Sequence, residues 1–151
     1  MTAPTTGPRI KVLIAEDEEH LGAILEQFLL GRGYQVTVTR DGKAALAALR
    51  SEAYDVALLD IVMPELDGLE VLRNIREDVA HPEVIIITGK GTIETAITAI
   101  RLGAYWVSTS GTPSTRESRL WSSAFSRVSC RRSHARLTRT SISAMRYGLE
   151  R

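Results

Sequence analysis

Between residues 10 and 107, short apolar runs alternate with stretches whose apolar positions recur every three or four residues. Residues 10–15, 56–59 and 84–87 are continuous apolar runs rich in β-branched side chains, as expected of strands covered on both faces. Gln35–Thr39 instead alternates Val36 and Val38 with polar neighbours, which predicts an edge strand with one wet face. Between these runs the period becomes helical. Leu21, Ile24, Leu25, Phe28 and Leu29 form one stripe, Leu69, Leu72, Ile75 and Val79 a second, and Ile93, Ala96, Ile97 and Ile100 a third. Ala45, Ala48 and Leu49 make a weaker stripe after the Asp41-Gly42 turn. Gly31 and Gly33 suit the end of the first helix and Gly103 that of the fourth. Strands separated by helices of this length predict right-handed βαβ units. The fold class is therefore α/β, a doubly wound parallel sheet, with five strands if residues 104–107 supply the last.

Composition changes this picture at one point. The 151 residues suffice for a single domain burying about 68–70% of its unfolded surface, with no need of a staple. Cys130 has no partner for an internal disulfide, and no Cys/His spacing suggests zinc. No apolar run approaches the ~18 residues of a membrane span, and residues 1–9 lack a secretory apolar stretch, so a cytoplasmic protein with a flexible N-terminus over 1–8 is expected. The net charge of +1 conceals a division. Residues 1–107 carry ten Lys+Arg against sixteen Asp+Glu, a net of −6; residues 108–151 carry nine Arg and two Glu, a net of +7. Serine divides likewise, with Ser51 alone before residue 108 and eleven after it.

In open parallel sheets, ligands bind outside the carboxyl ends of the strands. Here those ends run into Glu16-Asp17-Glu18-Glu19, Asp60 and Thr88-Gly89. If the first and third strands are neighbours, Glu16, Asp17 and Asp60 converge, and three close carboxylates need a compensating cation. An all-oxygen set without Cys or His selects a hard ion such as Mg²⁺. Glu18 and Glu19 are equally well explained as acids at a helix N-terminus. Two other signals fail. Gly89-Lys90-Gly91 lacks the earlier Gly and the Ser/Thr of a phosphate loop, and Gly31-Arg32-Gly33 follows a helix rather than a strand. His20, His81 and His134 have no ligand spacing and read as surface residues.

Four segments then carry a family resemblance: Ile14-Ala15-Glu16-Asp17-Glu18, Asp60-Ile61-Val62-Met63-Pro64-Glu65-Leu66-Asp67-Gly68, Thr88 through Ala96, and Leu102-Gly103-Ala104-Tyr105. In this order and spacing, over about residues 9–105, the chain resembles a response-regulator receiver domain of two-component signalling. The segment from Thr88 most resembles receivers of enhancer-binding (NtrC-like) transcription activators. The resemblance implies a flavodoxin-like sheet in order 2-1-3-4-5. It implies Asp60 as phosphoacceptor from a sensor histidine kinase, forming an aspartyl phosphate. Asp17 would ligate Mg²⁺ directly, Glu16 act beside it, Asp60 complete the acidic set, and Val62 offer its backbone carbonyl. Thr88 would hydrogen-bond the phosphoryl oxygen. Such a protein is a signalling switch that catalyses only its own phosphorylation.

The family pattern stops after Tyr105. The expected Lys-Pro pair falls on Ser110 and Gly111, and the switch aromatic on Val107. The resemblance thus implies a weakened switch response, because a charge-assisted contact to the phosphoryl group is missing. Composition changes inside the fifth strand rather than after it, which predicts a reading-frame shift near codon 106; sequencing the coding DNA tests this. In the tail, Ser114-x-x-Glu117 has capping-box form, and Leu120, Trp121, Ala124, Phe125 and Val128 share one stripe. A substitute fifth helix over about 115–131 and a chance stripe stand level at this point. The arginines beyond it lack a helix-turn-helix pattern or a basic amphipathic helix, so they read as a solvated, disordered tail rather than a nucleic-acid surface. The resemblance also implies a homodimer through the fourth-helix to fifth-helix face, which depends on surfaces this tail would have to supply. Two rival functions are a phosphorylation-independent binding module and a small Mg²⁺-dependent phosphatase; Val62 stands where the phosphatase would need a second acid.

Overall fold

Alternate residues of each central strand enter opposite apolar layers, and this alternation fixes the architecture. The structure, a computed structural model, describes residues 9–78, 81–108, 119, 121–123, 125–128 and 130. Five strands, β1 (Lys11–Ala15), β2 (Gln35–Thr39), β3 (Val56–Asp60), β4 (Glu83–Ile87) and β5 (Trp106–Ser108), form one parallel sheet in order β2-β1-β3-β4-β5. Between them run α1 (Glu19–Leu30), α2 (Gly42–Ser51), α3 (Gly68–Ile75) and α4 (Ile93–Arg101). The doubly wound α/β fold and its 2-1-3-4-5 order agree with the sequence reading.

One layer joins Leu13, Ala57, Leu59 and Ile86 of the sheet to Ala45, Val71, Leu72, Ile75 and Ala99 of the helices. The other joins Val12, Ile14, Leu58 and Ile85 to Leu25 and Leu29 of α1 and to Trp121, Phe125 and Val128. Residues 121–123 and 125–128 are helical, and Trp121 is only 2% exposed. Its ring meets Phe28 edge-on at 6.0 Å, while Phe125 stacks on Tyr34 at 4.6 Å. The tail's composition differs from the domain's, yet these three side chains lie in its core. Leu120, Ala124 and the segment after Cys130 lie outside the described residues.

One expectation needs correction, and one helical stripe takes an orientation its period alone does not give. The fifth strand is Trp106–Ser108, not 104–107: Tyr105 N–H donates to Val84 O, and the paired strand begins only at Trp106 opposite Ile85. The third helical stripe does not face inward. Ile93, Ile97 and Ile100 are 80%, 47% and 51% exposed, and Ala99 is the buried residue of α4. A periodic stripe marks one side of a helix without saying that this side meets the core.

Candidate functional site

The carboxyl ends of β1 and β3 lie side by side, with Ala15 opposite Leu59, so the residues that follow each strand emerge together. Glu16 leaves β1 through an N–H donated to Thr39 O at 3.0 Å, and its side chain accepts the Glu18 N–H at 3.0 Å. Asp60 is the last residue of β3 and accepts the Val62 N–H at 3.3 Å. Carboxylate oxygens of Glu16, Asp17 and Asp60 lie within 4.8 Å of one another. Glu16 is buried, Asp60 half-buried and Asp17 exposed. They open on a cleft of about 590 Å³ lined also by Glu18, Leu21, Val62, Gly89 and Lys90.

The electrostatics follow from this crowding. Burial pushes the Glu16 carboxyl up to about 7, against the lowering effect of the Glu18 N–H, and the charges of Asp60 and Asp17 push the same way. Burial also raises Asp60 from its ordinary range, opposed by the Val62 N–H and by its hydrogen bond with Glu16. At about 7, the Glu16 carboxyl is partly protonated near neutral pH. Glu18 stands at the N-cap of α1 without a side-chain capping bond and Glu19 opens the helix, the dipole-favoured position.

The loop after Asp60 is pinned from the α3 side. Asp67 caps α3 in a reciprocal box with Glu70, at 2.8 and 3.0 Å. Gly68 donates its N–H to Ile61 O at 3.0 Å, and a Cβ on Gly68 would strike the Asp60 carbonyl, so the helix start rests directly on the backbone at the end of β3. On the other flank Thr88 is buried at the end of β4, its N–H donated to Ser108 O at 2.9 Å and its hydroxyl accepting the Lys90 N–H at 3.2 Å. Thr88 does not cap α4; Thr92 does, through Thr95.

The structure therefore brings Glu16, Asp17, Asp60 and Val62 to one cleft; Thr88 is buried next to the lining residues Gly89 and Lys90 and does not itself line it. Ser110 lies outside the described residues. Val107, the aligned switch position, is half-buried in the layer of Leu13 and Leu59, whereas the preceding Trp106 is exposed. Lys90 is the lining residue that the sequence reading set aside along with the failed phosphate loop. Its position three residues beyond β4, at the same end of the sheet as the acids, was the available signal.

Residues 12–107 match the family model of the response regulator receiver domain. The chain belongs to the response-regulator receiver family. Among its relatives, the uncharacterized transcriptional regulatory protein YkoG of Bacillus subtilis (strain 168) is 38% identical over 93 residues, 62% of this chain and 41% of that protein. The chain thus spans about two fifths of the length of the curated relatives it matches. NtrX from Brucella abortus, at 29% identity and TM-score 0.74, aligns over 86% of this chain and 30% of that one. A CheY-like receiver domain protein from Methanospirillum hungatei JF-1, at 21% identity and TM-score 0.73, aligns over 84% and 99% and supports the fold alone. Among the described residues, no helix of this receiver is long and apolar enough to cross a membrane.

Proposed function

We propose that this receiver accepts a phosphoryl group on Asp60 from a phosphohistidine of a sensor histidine kinase. The observation that carries the reading is the acidic cleft, with Asp60 half-buried at a strand end and two further carboxylates within 4.8 Å. A carboxylate oxygen of Asp60 attacks phosphorus, the phosphorus–nitrogen bond breaks, and the imidazole leaves with the electron pair. Little covalent work falls to the protein, so placement and charge dominate. Asp60 is placed by its strand and by the Val62 N–H. The Thr88 hydroxyl is available to donate to a phosphoryl oxygen, because in the hydrogen bond with Lys90 it serves as acceptor.

The donor set fits Mg²⁺: three carboxylates with no nitrogen or sulfur ligand, two of them raised by burial. Glu16, Asp17 and Asp60, with the Val62 carbonyl, would hold it, and the bound ion supplies charge compensation for the phosphoryl oxygens. Loss of the Lys-Pro pair at Ser110 and Gly111 leaves the reaction possible and weakens the coupled conformational response.

Incubation of the full chain with Mg²⁺ and acetyl phosphate, followed by intact mass, tests the reading. An adduct of one phosphate that vanishes in Asp60→Asn is expected. An adduct-free wild-type chain would overturn it in favour of a phosphorylation-independent binding module.

A further inference from the structure

Among the described residues, four carboxylates line the cleft, Glu16, Asp17, Glu18 and Asp60, and Lys90 is the single basic residue lining it. The backbone sets its place. Lys90 N–H is bound to the Thr88 hydroxyl, and Thr88 is in turn tied to Ser108 of β5. The next residue, Gly91, has no room for a Cβ, which would strike the Thr88 methyl and come within 3.3 Å of Thr95 Oγ1. The Gly89-Lys90-Gly91 turn therefore lies against Thr88, and residue 90 is delivered to the cleft rim. Lys11, Arg40, Lys43 and Arg50 are engaged in ion pairs with other acids, whereas among the described residues no carboxylate holds the Lys90 ammonium.

The geometry points to Lys90 as the cation that meets the incoming phosphoryl group, the role left without a lysine at Ser110. This rests on the acceptor reading of Asp60. A phosphoryl group brings close to two negative charges into a site already crowded with carboxylates. An ammonium at the rim offsets charge on its non-bridging oxygens as the donor bond breaks, and neither gives nor takes a proton. With acetyl phosphate, the Asp60 oxygen forms the new bond to phosphorus and acetate leaves with the electron pair of the broken one.

Full-length Lys90→Gln and Lys90→Arg are compared with wild type for the rate of adduct formation and, separately, for Mg²⁺ affinity by calorimetric titration. Lys90→Gln is expected to slow phosphorylation about tenfold, the low end for a charge-assisted contact, with Lys90→Arg restoring most of the rate. Removing the ammonium is also expected to tighten Mg²⁺ about threefold, because a like charge no longer faces the ion. Lys90→Gln at the wild-type rate overturns the inference, as does Lys90→Arg as slow as Lys90→Gln, which would make the effect one of shape. A wild-type chain that takes no phosphate overturns the acceptor reading itself. The titration then decides for Lys90 alone: tightening keeps its charge in the cleft, and unchanged affinity removes it.

Discussion

The rim above the sheet and the aromatic layer on one of its faces are built on opposite terms. At the rim, Glu16, Asp17 and Asp60 are held together against their mutual repulsion, and burial makes ionisation harder still. In the layer, Trp121 and Phe125 meet Phe28 and Tyr34 and simply remove apolar area from water. The crowded rim lowers the stability of the metal-free protein; the layer supplies stability, and the charge that meets it is the Arg32 guanidinium, 3.6 Å over the Phe28 ring. The contrast teaches where each kind of substitution should be felt.

The largest expected effect lies at the rim. Asp60→Asn should abolish the phosphate adduct while raising the urea midpoint of the metal-free protein, because one member of the repelling set is gone. An adduct that survives the substitution, or a lower midpoint, breaks the contrast. In the layer, Trp121→Ala should cost about 3–5 kcal/mol in unfolding free energy, the range for a large buried aromatic. Trp121→Phe should cost far less, since among the described residues the indole N–H is buried with no acceptor and its loss removes an unsatisfied donor. If Trp121→Ala unfolds like wild type, the tail contributes nothing to the core.

The third test is a titration. Glu16 stands at about 7 in the fold against an ordinary 4.5. Its stabilising contribution is therefore whole below about 4.5 and is lost as the pH rises through about 7. Metal-free stability should fall across that window by roughly 3 kcal/mol at most, and saturating Mg²⁺ should flatten the decline. A metal-free profile that rises across the window would reverse the sign assigned to the rim. The smallest effect belongs to α4, where the exposed Ile97→Ser should change stability by no more than about 0.5 kcal/mol.

Much of the fold was legible because strand and helix periods differ so plainly. Residues 56–59 and 84–87 read as doubly covered strands, and Asp60 directly after the first of them then emerges at the carboxyl end of the sheet. The three acids were legible for the same reason, since topology rather than side-chain detail brings them together. The outward face of α4 was not, because periodicity reports that a stripe exists and not which way the helix is rolled. The start of β5 was misplaced because Ala104 and Tyr105 are as apolar as a strand, and only the pairing partner Ile85 fixes where the ladder begins. Lys90 was passed over because its surrounding glycines were compared with a phosphate loop, when its distance from the end of β4 was the informative quantity.

Gly68 has a mechanical consequence. With the first residue of α3 resting on the Asp60 carbonyl, the Asp60 backbone has no freedom to yield in that direction. The opposite flank is held by the 3.2 Å bond between Lys90 and Thr88 and by a three-residue strand. If Asp60 takes a phosphoryl group as proposed, displacement is expected toward the β4–α4 side rather than toward α3, much as a hinge opens only away from its stop.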